Sequence, residues 1–148
     1  MPQYKTHVVV GILVYVAAMY IALFFGPLYW QRKIELLVCT LVGALFPDID
    51  TKSKIQRVLY CLLFVILLLL AYTKQYYAAT VMGIFACLPL LVHHRSIFHS
   101  CIFLVSLGAT ALYMTQYYYP LSTAAMAYNV AFFLAGALSH IVADKYLT

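Results

Sequence analysis

The side chains in this chain that could do chemistry are concentrated in four short motifs. They read THVVVG at 6–11, FPDID at 46–50, HHRSIFHS at 93–100 and SHIVAD at 139–144. Together they contain all five histidines and three of the four acidic residues of the chain, the exception being Glu35. Imidazole and carboxylate groups gathered in this way are typical of a metal-binding or catalytic site.

The types of these side chains favour divalent transition metals. Histidine nitrogens combined with carboxylate oxygens suit zinc, manganese or iron. One tetrahedral zinc ion takes four ligands, and the motifs offer more than that, so two ions about 3.5–4 Å apart would use them better. We therefore expect two divalent metal ions, zinc ahead of manganese or iron. The expected ligands are His7, Asp48, Asp50, His94, His99, His140 and Asp144.

Two pairs have a spacing that predicts a helical face. His140 and Asp144 are four residues apart, so their side chains would lie on one side of a helix. His7 and Gly11 have the same spacing, which would leave a spot without a side chain next to the imidazole. Both pairs would suit a site built at the end of a helix.

The other two motifs predict less regular structure. Asp48 and Asp50 would point the same way if their segment is extended. His94 and His99 are five residues apart, which is poor for one helical face, so we place His94 in a turn and His99 one turn into the following helix. His93 is the least expected to take part, because His94 has the better spacing from the neighbouring arginine and histidine.

Each motif alone also has a structural explanation. His7 could be an interfacial residue at a helix start, FPDID a cap and turn, and His140 with Asp144 a hydrogen-bonded pair. Arg95 could simply fix the orientation of a membrane segment. The combination is harder to explain in this way, because ionisable residues near membrane depth are costly and usually functional.

Composition indicates an integral membrane protein. The chain has 148 residues, of which 66% are hydrophobic and 9% charged, whereas a soluble domain has roughly 45–50% apolar and about 25% charged residues. The net charge is +5. The basic residues fall in short loops, where they indicate topology rather than a nucleic-acid partner.

Six apolar segments predict an all-α bundle of about six transmembrane or re-entrant helices, forming one domain over 1–148. A spanning helix takes about 20 residues, and only the second segment is much shorter, so it is a short helix inside the bundle or a re-entrant segment. Pro47 should push Phe46 out of helical geometry and end that second helix. The segments are 8–25, 34–46, 58–73, 76–92, 97–115 and 122–143.

If all six segments span, both termini and all four motifs lie at the same face of the membrane, with Glu35 at the other. Most basic loop residues lie on the motif side, so the positive-inside rule places that side in the cytoplasm. Aromatic clusters mark the opposite interface. They are Tyr29–Trp30, Tyr76–Tyr77 and Tyr117–Tyr119.

The ordered set of motifs resembles a known family. His7 with Gly11, GALFPDID at 43–50, H-R-x-x-x-H-S at 94–100 and S-H-x-x-x-D at 139–144 are similar to the bacterial LexA-regulated, membrane-bound metal-dependent hydrolases, also called domain of unknown function 457. The resemblance covers essentially the whole chain. It implies a multi-pass inner-membrane protein with a metal-dependent hydrolase site. Carried over by position, the motif residues are His7, Asp48, Asp50, His94, Arg95, His99, His140 and Asp144.

Other membrane enzymes fit less well. HIVAD is similar to the last motif of membrane phosphatidic acid phosphatases, but their lysine–arginine–proline and P-S-G-H motifs are absent. Membrane di-iron desaturases need more histidines than the five in this chain. The chain also lacks the HExxH motif that would indicate an intramembrane protease.

The expected reaction is therefore hydrolysis of a phosphoester in a phospholipid or another lipid-linked phosphate, with metal-bound hydroxide as the nucleophile. A substrate dissolved in the bilayer would explain a chain with essentially no soluble domain. Arg95 would bind the phosphate oxygens, and His94 would be a ligand or a proton donor. The alternative is a divalent-metal transporter or a metal-stabilised membrane scaffold without enzymatic activity. Transporters usually bind their substrate near the bilayer midplane, whereas these ligands lie at predicted helix ends.

Overall fold

The computed structural model describes residues 3–50, 54–91 and 99–146. These residues form six α-helices and two short 3₁₀ helices and contain no strand, so the all-α prediction with six helices is confirmed for them. The α-helices are α1 Gln3–Leu23, α2 Trp30–Leu45, α3 Lys54–Tyr72, α4 Tyr76–Leu91, α5 Cys101–Tyr118 and α6 Thr123–Tyr146. The 3₁₀ helices are Phe46–Asp50 and Pro120–Ser122.

The chain divides into two compact units, the first Met1–Pro47 with His99–Thr148 and the second Asp48–Phe98. The first unit contains α1, α2, α5 and α6, and α6 packs against each of the other three. The second unit contains α3 and α4, which pack on each other. Within it, the Tyr60 hydroxyl donates a hydrogen bond of 2.8 Å to the carbonyl of Ala86.

Two of the described helical segments are long and apolar enough to cross a membrane, Lys5–Leu23 and Pro120–Tyr146. At 1.5 Å per residue, helices of this length match a hydrocarbon core about 30 Å thick. Large apolar side chains remain on their outer surfaces; Leu13 and Val16 on α1 are 64% and 58% exposed. Contact of such a surface with lipid costs no free energy, whereas its exposure to water is unfavourable. The apolar helix Gln56–Tyr72 is shorter.

Helix α2 begins earlier than predicted and ends, as predicted, just before Pro47. It has 16 residues and begins at Trp30, earlier than the predicted 34–46, because its polar first turns bind other elements. Phe46 keeps right-handed helical angles, φ −62° and ψ −41°, so the expected distortion before Pro47 was wrong. The chain continues as a 3₁₀ helix, because a 3₁₀ turn accommodates Pro47, whose nitrogen has no hydrogen to donate. The condition under which Asp48 and Asp50 would point the same way, an extended segment, is therefore not met.

Helix α5 begins later than its predicted segment at 97–115. Ser100 has extended backbone angles, and its hydroxyl accepts a hydrogen bond from the Phe103 amide, which makes it the N-cap residue that satisfies an otherwise unpaired amide. His99 therefore lies before α5, and the prediction that it lies one turn inside this helix was wrong.

The closest packing in the first unit is a contact between the backbones of α2 and α6. A Cβ atom added to Gly43 would collide with the backbone carbonyl of Phe133, and one added to Gly136 would collide with the carbonyl of Thr40. Glycines on both helices are therefore needed for this approach, as is usual where membrane helices pack through small residues. We call Gly43 and Gly136 the glycine contact.

At the other end of α2, three polar side chains join it to α6. The Arg32 guanidinium forms an ion pair with Glu35 and donates to the carbonyl of Ala125. The Asn129 amide donates to the Glu35 carboxylate at 2.7 Å. We call Arg32, Glu35 and Asn129 the polar clamp. It accounts for Glu35, the acid that lies outside the four motifs.

Candidate metal centre

Four of the predicted ligands meet in the first unit, and the Asp144 carboxylate lies among them. Its Oδ1 atom is 3.3 Å from Nε2 of His7, and its Oδ2 atom is 3.5 Å from Nε2 of His99 and 3.7 Å from Nε2 of His140. His7 and His140 are buried, with 1% and 0% of their surface exposed. One carboxylate thus faces the same ring nitrogen of three imidazoles.

Each of these side chains is positioned by a simple local feature. His7 lies near the start of α1, one turn before Gly11, and Ala44 of α2 occupies the space beside that glycine. His140 and Asp144 lie on one face of α6 near its end, as their spacing predicted. His99 directly precedes the Ser100 cap that starts α5.

The separations fit ligands of a metal ion better than direct hydrogen bonds. An N–H···O hydrogen bond is about 2.7–3.2 Å long, and all three nitrogen–oxygen distances are longer than this. Ligand atoms that bind zinc tetrahedrally at about 2.0–2.2 Å lie roughly 3.3–3.6 Å from one another. His7, His140 and Asp144 form a group whose ligand atoms lie within 4.8 Å of one another, and a ligand nitrogen of His99 is equally close to one of His140.

A hydrogen bond that His140 donates to the backbone of α2 orients its ring. Its Nδ1 atom lies 2.7 Å from the carbonyl oxygen of Ala44. A carbonyl can only accept, so Nδ1 carries the proton. In the neutral ring, Nε2 on the Asp144 side then has the lone pair. Metal-binding histidines are typically held by such a bond from the other ring nitrogen.

The rings of His7 and His140 are stacked. Their centroids are 3.9 Å apart and their planes are inclined by 21°. The His99 ring meets His140 edge-on, with centroids 5.5 Å apart. His7 Nδ1 has no hydrogen-bond partner in the described part of the chain, so the stack and the surrounding packing hold this ring.

The remaining predicted site residues are described only in part. Asp48 lies in the 3₁₀ helix that follows α2, is partly buried, and comes directly after the fully buried Pro47. Asp50 ends the same 3₁₀ helix, but its side chain lies outside the described residues. His94 and Arg95, with their neighbour His93, also lie outside them.

A comparison with known protein families shows which family the chain belongs to. The family model described as YdjM inner membrane protein matches residues 1–147. The chain belongs to the YdjM inner membrane protein family. This confirms the resemblance to the LexA-regulated metal-dependent hydrolases. Searches of curated proteins and of solved structures gave no match.

The description of the YdjM family as inner membrane proteins agrees with the two helices that are long and apolar enough to cross a bilayer. The motif pattern of this YdjM chain nevertheless left out the parts of the site that come from the backbone. The Ala44 carbonyl and the glycine contact have no polar side chains to mark them. One signal was available: the tripeptide Gly-Ala-Leu occurs at 43–45 and again at 136–138, just before Pro47 and just before His140.

Proposed function

We propose that the protein is a membrane-embedded, metal-dependent hydrolase that cleaves a phosphoester in a phospholipid or another lipid-linked phosphate. The observation that carries the proposal is the position of Asp144, whose carboxylate faces three imidazole nitrogens at 3.3–3.7 Å. A buried set of this kind has the donor atoms that zinc, manganese and iron bind. Membership of the YdjM family supports the reaction class.

Oδ1 of Asp144 faces His7, and Oδ2 faces His99 and His140. These four residues would hold the divalent ions when they are bound. From the motifs we add Asp48, Asp50 and His94 as further ligands. When bound, the ions would polarise the phosphoryl group and acidify a water molecule.

The protein groups around the ions have separate tasks in this proposal. Asp144 and the histidines fix the position of the metals, and the Ala44 carbonyl favours the neutral His140 tautomer whose Nε2 has the lone pair. Arg95 binds the phosphate oxygens, for which its planar fork provides two parallel hydrogen bonds. His94 delivers a proton to the leaving oxygen or adds a ligand. The exposed apolar helix faces leave the protein in direct contact with lipid, its proposed substrate.

We further propose a single multi-pass domain in the inner membrane, with both termini and the site at the cytoplasmic face. The family supports the membrane, and the distribution of basic loop residues supports the orientation. The site residues near the start of α1 and the end of α6 would then lie at one interface, where a lipid headgroup is within reach.

The test compares Arg95→Ala and Arg95→Lys with wild type in purified protein reconstituted in lipid nanodiscs. Zinc, manganese and iron content and phosphate release from phospholipids are measured together. Arg95→Ala should keep its metal and lose turnover by roughly 10²–10³, the usual effect of removing one transition-state donor. Arg95→Lys should recover only part, because the charge returns without the fork.

Arg57→Ala, which removes an exposed cation from α3, is the matched control and should leave turnover unchanged. Equal turnover in wild type and Arg95→Ala would remove Arg95 from the mechanism. A different result would be a wild-type protein that binds metal, hydrolyses no lipid phosphate and carries metal ions across vesicle membranes. That result would show a transporter and overturn the hydrolase proposal.

A further inference from the structure

We propose that the glycine contact, Gly43 with Gly136, sets the metal affinity of the site, although neither residue can bind a metal. The proposal rests on the metal centre proposed above. It assigns these glycines as positioning residues that act through one backbone atom, the Ala44 carbonyl oxygen. That atom is the hydrogen-bond acceptor for His140 and belongs to the residue directly after Gly43.

The contact lies close to the site on both helices, since Gly43 directly precedes Ala44 on α2. Gly136 is four residues before His140, so the two share a face of α6. The missing Cβ of Gly136 faces the Thr40 carbonyl and also the Ala44 amide nitrogen, 2.9 Å from where it would be. The atoms that limit the approach of the helices are therefore next to the atom that orients His140.

No side-chain movement can make room for a methyl group at these two positions. The atoms that a Cβ would meet belong to the backbones of Thr40, Ala44 and Phe133, which are fixed by helical hydrogen bonds. Carbon atoms in contact lie about 3.5–4.0 Å apart, so an alanine at either glycine must separate α2 from α6 by on the order of 1 Å.

A separation of that size breaks the bond to His140. The Nδ1–oxygen distance is 2.7 Å, and a hydrogen bond is largely lost beyond about 3.2–3.5 Å. The ring would then no longer be held in one orientation or one tautomer. Losing the partner that orients a metal-binding histidine typically lowers metal affinity about 10–100-fold.

Ala44 also transmits the position of α2 to α1. A Cβ on Gly11 would lie 3.0 Å from the Ala44 Cβ, and Gly11 is one turn after His7. Ala44 is fully buried. Helix α1 therefore packs at Gly11 against the same residue whose carbonyl accepts the hydrogen bond from His140. The stacked pair His7 and His140 is thereby positioned from a single point on α2.

The experiment measures zinc affinity by competition with a chromophoric chelator for wild type, Gly43→Ala and Gly136→Ala in nanodiscs. Both variants should bind zinc about 10–100-fold more weakly. Gly108→Ala is the matched control, because its Cβ would meet only side-chain atoms of Val130 and Leu134, which can rotate. It should stay within about threefold of wild type. Unchanged zinc affinity in both Gly43→Ala and Gly136→Ala would overturn the proposal.

A second measurement needs neither a metal nor the glycine variants. Nitrogen-15 histidine NMR of the metal-free wild-type protein, assigned with His140→Gln, should show His140 as the Nδ1–H tautomer with a slowly exchanging proton. The Nε2–H tautomer would overturn the proposal even if the glycine variants fail to fold. Failure of the proposed function would look different: the wild type would bind no transition metal, while His140 would still show the Nδ1–H tautomer.

Discussion

The rings of His7 and His140 stack with their centroids 3.9 Å apart, although the two residues come from the first and the last helix of the chain. His140 is in turn bonded to the backbone of α2. Three helices therefore meet around one ring, and the side chain of His140 cannot move without disturbing His7. This arrangement is typical of a ligand set that is held in place before the metal binds.

Replacing Asp144 with Asn should remove most of the bound metal and leave the protein inserted in the membrane. Asparagine has the same shape but lacks the negative charge and the second oxygen that faces the histidines. Metal content per chain, measured by mass spectrometry after purification without chelators, checks this. Glu35→Gln makes the same chemical change in the polar clamp and should keep wild-type metal content. A full complement of metal in Asp144→Asn would show that this carboxylate is no ligand.

The polar clamp should contribute to stability and not to metal binding. Asn129→Leu removes the amide that donates to Glu35. Because the Glu35 side chain is 47% exposed, water screens part of the loss, and we expect the protein to be about 1 kcal/mol less stable.

Thermal unfolding of the metal-free protein in detergent measures this difference. Asn129→Asp should be more destabilising at neutral pH, since it places a second carboxylate beside Glu35. Equal unfolding temperatures for wild type and both variants would show that the clamp contributes nothing measurable.

Gly11 should tolerate Ala but not Leu. The added Cβ of alanine would lie 3.0 Å from the Ala44 Cβ and 3.6 Å from Leu41, which a shift of a few tenths of an ångström relieves. A leucine has no such room and should push α1 away from α2, so that Gly11→Leu loses metal affinity while Gly11→Ala stays close to wild type. The chelator competition assay gives both affinities. Similar affinities for the two variants would contradict this account of the contact.

The topology predicted from the loops can be tested by labelling single cysteines in a cysteine-free background. Positions 52 and 96 should react from the cytoplasmic side, because they lie in loops on the basic side of the predicted bundle. Tyr29 and Leu121, both highly exposed, should react from the opposite side when replaced by cysteine. Reaction of 52 and 96 from different sides would exclude a site at one membrane face.

Sequence predicted well whatever depends on neighbours along the chain. The spacing of His140 and Asp144 gave their shared face, and six apolar segments gave six helices. The sequence predicted poorly the contacts that depend on which faces of the helices pack against each other. Apolar residues lie on all sides of α1 and α6, so no stripe identifies the packed face. The glycine contact could therefore be seen only once both helices were placed.

The start of α5 shows a second limit. The apolar run suggested a helix from 97, but the Ser100 hydroxyl binds the Phe103 amide and sets the first turn later. A serine within an apolar region is a weak cap signal, because serine also occurs inside membrane helices. His99 lies beside Asp144, another predicted ligand, but its predicted position inside a helix was wrong.

The wide separation of the ligands along the chain has a consequence for how the protein is made. His7 emerges from the ribosome with the first helix, whereas His140 and Asp144 emerge with the last. At about 5–20 residues per second, His7 waits several seconds to tens of seconds for its partners. The proposed metal site can therefore be completed only after α6 has been made, and a chain truncated before α6 lacks both His140 and Asp144.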